Sequence, residues 1–130
     1  MIKVSKKTQY GLRAMVCLAK NYKSKAICST KMISQNEAIP FDFLEKIISR
    51  LEKENLVTGK KGTQGGYVLS KNPAKISAND VVFALEENKK PVDCALCGRK
   101  RRCLTKNVWL KVELVLNKTL KSISLADLIK

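Results

Sequence analysis

Three cysteines stand close together late in the chain, as Cys94-x2-Cys97-x5-Cys103. Thiolates at such short spacing on one loop can hold a soft metal or an iron-sulfur cluster, because chelation then orders little extra chain. Three are too few for a closed site of four thiolates, so a fourth ligand must come from Cys17, Cys28, an acid such as Asp93, or a second subunit. Arg99, Lys100, Arg101 and Arg102 lie between the last two of these cysteines. Their charge lowers thiol pKa values and offsets the negative charge of a thiolate-bound cluster, and it suits a thiol switch equally well. Spacing alone leaves an iron-sulfur cluster, a thiol sensor or zinc site, and incidental cysteines all open. Cys17 falls among apolar helix positions and reads as a small buried hydrophobe. The chain has no histidine, which excludes Ser-His-Asp and Cys-His catalysis and any His-ligated zinc or Rieske-type site within it.

A second constellation is built for polyanions. In Phe41 to Tyr67, Leu44, Ile47, Ile48 and Leu51 fall on one helical face, and Asp42, Glu45, Lys46, Ser49, Arg50 and Lys53 fall on the other. Lys46 and Arg50 can donate to guanine edges, Glu45 can accept from a cytosine amine, and Ser49 is small enough for close approach. Taken alone, this mixed-charge face is better read as an ordinary solvated surface. Its context reverses that preference. Asn55 ends the helix, Leu56-Val57 starts a strand-like run, and Lys60, Lys61, Gly62, Thr63, Gln64, Gly65 and Gly66 form a basic, glycine-rich tip before Tyr67-Val68-Leu69. Such a tip supplies phosphate or minor-groove contacts. It is no Walker or Rossmann loop, since no helix follows it.

Composition agrees. Lysine and arginine outnumber the acids 26 to 11 over 130 residues, and eight cations precede the first acid, Glu37. That excess calls for a polyanionic partner, of which duplex DNA is the commonest, or else serves solubility. The length suits one domain and the 45% apolar content suits a packed core. No apolar run approaches the roughly 20 residues of a membrane span, and no signal-peptide pattern opens the chain. The expected location is cytoplasmic. No nucleotide or substrate motif accompanies the cysteines, so a redox enzyme using that loop is the weaker reading.

The elements that must position these residues follow from periodicity and caps. A first helix is expected over Thr8 to Lys20, capped by Ser5 or Thr8, with Leu12, Met15, Val16 and Ala19 on its core face. Ser29 caps a short second helix to about Gln35, anchored by Ile33, and Pro40 lets the third helix start at an angle to it. After the hairpin, Lys71-Asn72-Pro73 breaks the strand, and Ser77 caps a helix with Val81, Val82 and Leu85 on its core side. A long helix from Lys106 to about Leu120 carries one wide apolar stripe, Val108, Trp109, Val112, Val115, Leu116 and Leu120, and a second, Leu110 and Leu114. Two stripes need two partners, which predicts packing on its own domain and on a second subunit. A short final helix follows Ser122. The fold class expected is mainly α with a small β-hairpin wing: a winged helix-turn-helix domain plus a long C-terminal dimerisation helix. The divisions are a DNA-binding domain over 1–87, a cysteine loop over 88–105, and the dimerisation and terminal helices over 106–130.

Several stretches match a known family in order. Lys7-Thr-Gln-Tyr-Gly-Leu-Arg-Ala-Met15, Phe43 to Val57, Lys61-Gly-Thr-Gln-Gly-Gly-Tyr-Val-Leu69, Ile76 to Glu86, Cys103-Leu-Thr-Lys-Asn-Val-Trp109 and Ser122 to Leu128 resemble the Rrf-type family of bacterial transcriptional regulators. The resemblance covers nearly the whole chain. It implies a homodimer held by the Lys106 helix, with two winged heads on a near-palindromic operator. It also implies that Cys94, Cys97 and Cys103 occupy the positions that ligate a [2Fe-2S] or [4Fe-4S] cluster in cluster-bearing members. Two departures are visible: the gap between Cys94 and Cys97 is shorter than usual, and the positions where members offer a histidine or an acid as fourth ligand hold Lys106 and Gln9. The combined expectation is a cytoplasmic, dimeric DNA-binding regulator, read as a repressor. Its operator affinity would follow redox, iron or nitric oxide through the cluster, with a cluster-free thiol or zinc regulator as the alternative.

Overall fold

The structure is a computed structural model and describes residues 3–87 and 104–130. Three helices come first: α1 (Lys6–Lys20), α2 (Thr30–Glu37) and α3 (Phe41–Lys53). An antiparallel hairpin follows, β1 (Val57–Lys60) paired with β2 (Gly66–Leu69), then a single 3-10 turn (Pro73–Lys75), α4 (Ala78–Leu85), α5 (Lys106–Lys121) and α6 (Leu125–Leu128). This is a mainly helical winged helix-turn-helix.

Helix α1 begins earlier than its apolar period predicts, because Ser5 caps it by accepting from the Thr8 N–H at 3.2 Å. Its burial is also broader. Ala14, Met15, Leu18 and Ala19 are buried, whereas Leu12 and Val16 are only partly covered. The reason is position: α2, α3, α4, α6 and β2 all pack on α1, so it is covered from several sides instead of along one stripe. On α4, Val81 and Leu85 are buried as expected, but Val82 is half-exposed and Ala84 takes the inner place.

The helix-turn-helix turn is tight. Ala38 adopts a left-handed conformation at φ 52°, Ile39 N–H donates to Ser34 carbonyl at 3.0 Å, and Ser34 Oγ returns a bond to Ile39 carbonyl at 2.6 Å. Arg13 on α1 donates to the Glu37 carbonyl, which fixes the end of α2 against the central helix. At the other end of α3, Asn55 turns the chain at φ 61°, the left-handed stop that asparagine tolerates better than most residues.

Two long-range joins complete the head. Cys28 N–H donates to Tyr67 carbonyl at 3.0 Å and Tyr67 N–H to Cys28 carbonyl at 2.8 Å, so the segment before α2 adds a third, one-residue strand to the wing. The tail after α5 folds back on the head. Ala78 N–H donates to Ile123 carbonyl at 2.7 Å, Leu125 N–H to Ile76 carbonyl at 2.9 Å, and the Leu125 side chain is fully buried in the core. A capping box between Ser124 and Asp127 holds the short α6 in place and keeps the Asp127 carboxyl below its ordinary pKa, chiefly through the bond from the Ser124 N–H.

Candidate nucleic-acid interface

Helix α3 is the most strongly two-faced element in the head. Leu44, Ile47, Ile48 and Leu51 are all within 1% of complete burial, while Asp42, Glu45, Lys46, Ser49, Arg50 and Lys53 are exposed. The apolar spacing fixes which residues face outward, so the polar set is held on a rigid support. Edge-to-face contact between Tyr10 and Phe43, at 5.5 Å between centroids, braces its N-terminal turn on α1. Among the described residues no ion pair ties up Lys46 or Lys53.

Glu45, Lys46, Ser49, Arg50 and Lys53 border one shallow depression, and Lys7 from the start of α1 joins them. Lys7 extends the basic surface beyond α3, where the sequence showed it only as one of the eight cations ahead of Glu37. Arg50 is anchored: its Nε donates to the Ala84 carbonyl at 2.9 Å, filling an acceptor that the C-terminus of α4 leaves open. That bond holds the guanidinium in one orientation at the rim of the depression.

The wing tip runs from Lys61 to Gly65, because Lys60 pairs with Gly66 as the last rung of the hairpin. Lys60, Lys61, Gly62, Thr63 and Gln64 are exposed, whereas Gly65 and Gly66 are half-buried. Gly62 has φ 119°, a conformation side chains rarely adopt. Gly66 is required for a different reason: a Cβ there would strike the backbone of Cys28, the extra strand behind the wing. Both glycines shape the wing that carries Lys60 and Lys61.

Of the candidate metal ligands, Cys94, Cys97 and Cys103 lie outside the described residues, as do the four cations between the last two. The described cysteines, Cys17 and Cys28, are buried, and burial raises both thiols, that of Cys28 to about 11. Both stay protonated near neutral pH and behave as core residues. Among the described residues no three His, Cys, Asp or Glu side chains converge on a metal-sized site. The chain enters the cysteine segment from an anchored point: the Glu86 carboxylate accepts from Ser5 Oγ at 2.9 Å and from Thr8 Oγ1, beside the N-terminus of α1. An anion there is favoured by the helix dipole.

A family profile named Rrf2, described as "Iron-dependent Transcriptional regulator", matches residues 4–130. The chain belongs to this family. It is 33% identical over 133 residues to protein rrf2 of Nitratidesulfovibrio vulgaris, covering 99% of this chain and 88% of that one. In three dimensions it is similar to CymR, described as the global cysteine regulator of Bacillus subtilis (TM-score 0.84, 32% identity, 99% and 97% of the two chains). It is also similar to the IscR of T. potens (TM-score 0.82, 34% identity, 98% and 86%). The family members it resembles are transcriptional regulators, which removes the redox-enzyme reading.

Proposed function

We propose that this family member binds an operator in duplex DNA as a homodimer, with an iron-sulfur cluster on Cys94, Cys97 and Cys103 setting its affinity. The observation that carries the DNA reading is the exposed face of α3 and the Lys7 that joins it in one depression, on a head whose wing presents Lys60 and Lys61. Glu45, Lys46, Ser49, Arg50 and Lys53 would face base edges, Lys7, Lys60, Lys61, Gly62, Thr63 and Gln64 would face phosphates, and Gly65 and Gly66 would shape the backbone behind them. In this reading the protein acts in the cytoplasm as a repressor.

The dimer is supported by α5. None of its 16 residues is fully buried, and Val108, Leu110, Leu114, Val115 and Leu116 are each more than 40% exposed, while Trp109, Val112 and Leu120 are half-buried. So long an apolar surface fits a second copy of the same helix.

The donor set supports the cluster. Cys17 and Cys28 are protonated and packed away, which leaves the three loop thiols, whose neighbouring cations favour thiolates. A cluster there would supply a charge and redox state that changes with its environment. The protein's part is to connect that state to α5, since the cysteine segment runs from the Glu86 anchor to the first turn of the helix. The likeness to CymR, described as a cysteine regulator, favours a cluster-free thiol form as the second reading.

Two measurements test this. Binding to a genomic operator is expected to fall steeply with salt, and Lys61→Ala to weaken all duplexes alike, lowering the salt slope by about 1. Protein prepared without oxygen is expected to contain iron and a visible absorption band, both lost in Cys97→Ser and Cys103→Ser and kept in Cys17→Ser and Cys28→Ser. Stoichiometric zinc without a visible band would select the thiol or zinc form.

A further inference from the structure

We propose that the cavity between the α1–α2 turn, the back of the wing and α6 binds an amphipathic monocarboxylate, of the size of a medium-chain fatty acid. The cavity measures about 760 Å³, within the usual span of roughly 300–1,000 Å³ for small-molecule sites. Leu18, Leu69 and Pro73 line it as buried groups, and Tyr22, Val68 and Ile129 line it half-buried, so the interior is apolar.

Its charged side chains are of one sign, with Asn21 and Asn72 as neutral polar neighbours. Lys23, Lys25, Lys60 and Lys130 border it, and no acid does. Lys130 is partly neutralised by Asp127 at 3.7 Å, while among the described residues Lys23, Lys25 and Lys60 have no ion pair. An apolar interior with unpaired cations beside it selects a ligand with a tail and an anionic head. Inorganic phosphate would use the lysines and forgo the interior, and a fatty alcohol would do the reverse.

The turn that carries two of these lysines is built. Lys25 N–H donates to Tyr22 carbonyl at 3.1 Å, Ala26 N–H to Asn21 carbonyl at 3.3 Å, and Asn21 Nδ2 to Cys17 carbonyl at 2.8 Å. Lys25 itself sits at φ 58°, where glycine or asparagine would be accommodated more cheaply. A cation thus occupies a backbone position that disfavours it, beside a cavity that no acidic side chain lines.

The site also touches the wing. Lys60 is the last residue of β1, so a carboxylate on its ammonium withdraws it from a DNA phosphate. Ligand binding would then weaken the operator complex, a consequence that rests on the DNA reading, whereas the binding itself does not.

Calorimetric titration of the full chain, without DNA, tests the site with decanoate, octanol and inorganic phosphate as probes. Decanoate is expected to bind with one site per chain, and octanol and phosphate at least about tenfold more weakly. Ala126→Trp, which fills the cavity from α6, should abolish decanoate binding and leave operator binding intact. The double variant Lys23→Ala/Lys25→Ala should weaken decanoate several-fold with octanol unchanged. Equal affinity for octanol and decanoate, or decanoate binding that survives both variants, would overturn the proposal. So would displacement of decanoate by phosphate at equal concentration, since the lysines would then serve phosphate alone. Decanoate binding without loss of operator affinity would overturn the coupling to the wing and uphold the cavity.

Discussion

Arg50 divides its guanidinium between two tasks. Nε is spent on the Ala84 carbonyl, and among the described residues the terminal nitrogens remain for an acceptor outside the head. Arg50→Ala is therefore expected to cost about 1 kcal/mol of stability, the size of one partly exposed hydrogen bond, and to relax base preference at one position of each half-site. Urea unfolding and binding to single-base operator variants separate the two effects. A loss of stability with unchanged preference would make Arg50 a strut and not a reader. Lysine at this position keeps the charge and loses the planar fork, so it should restore neither effect fully. The cysteines divide in a similar way. With Cys28 raised to about 11 and Cys17 also raised, both chiefly by burial, neither is a thiolate at neutral pH. Iodoacetamide at pH 7.5 should label the reduced, metal-free folded protein at Cys94, Cys97 and Cys103 and spare Cys17 and Cys28 until it is unfolded, which mass spectrometry of the peptides would read.

At the scale of elements, α3 and α5 have opposite needs. Helix α3 buries one complete face and leaves a polar one, so it is satisfied within the head. Helix α5 has half-buried Trp109, Val112 and Leu120 but leaves Leu114 67% and Val115 63% exposed, so its remaining apolar surface is unsatisfied among the described residues. A glutamate placed in that surface would be desolvated against a second copy with no counter-charge. Val115→Glu is expected to sediment as a monomer, to keep its helical content and to bind operator far more weakly, since in the proposed dimer two heads would span half-sites about one helical turn apart. A variant that remains a dimer would move the interface elsewhere. The wing depends on backbone economy at its tip: with Gly62 at positive φ and Gly66 against Cys28, its lysines are placed by the strand behind as much as by the hairpin.

On the scale of the whole molecule, the C-terminal residues belong to the packing of the first helix. Leu125 is completely buried, and the backbone bonds at Ile76 and Ala78 tie its segment to the stretch before α4. Leu125→Ala removes a core side chain and leaves a cavity, which costs about 2–5 kcal/mol. The expected result is a lower urea midpoint with an unchanged slope, and a head that loosens where α6 meets α1. Because α5 leads directly into this tail, the docked Leu125 fixes one end of α5 to the head, and the packing of α5 on α4 fixes another part. The angle between α5 and α3 is then a property of the packed molecule.

Local rules made much of this legible. The spacing of Leu44, Ile47, Ile48 and Leu51, the caps Ser29 and Ser77, the stop at Asn55 and the glycine-rich tip each report on neighbours within a turn or a hairpin, and the elements form where those signals lie. The burial of Cys17 was legible for the same reason. Where residues met across the chain, the sequence carried no such signal. Arg50 reaches Ala84 across 34 positions, Cys28 pairs with Tyr67 as a third strand, and Val82 cedes its inner place to Ala84. Likewise Lys23, Lys25, Lys60 and Lys130 read as separate cations until the fold set them around one cavity. Periodicity decides which face of an element is apolar, but the packing partner decides how far that face is covered and which polar atoms meet at its edge.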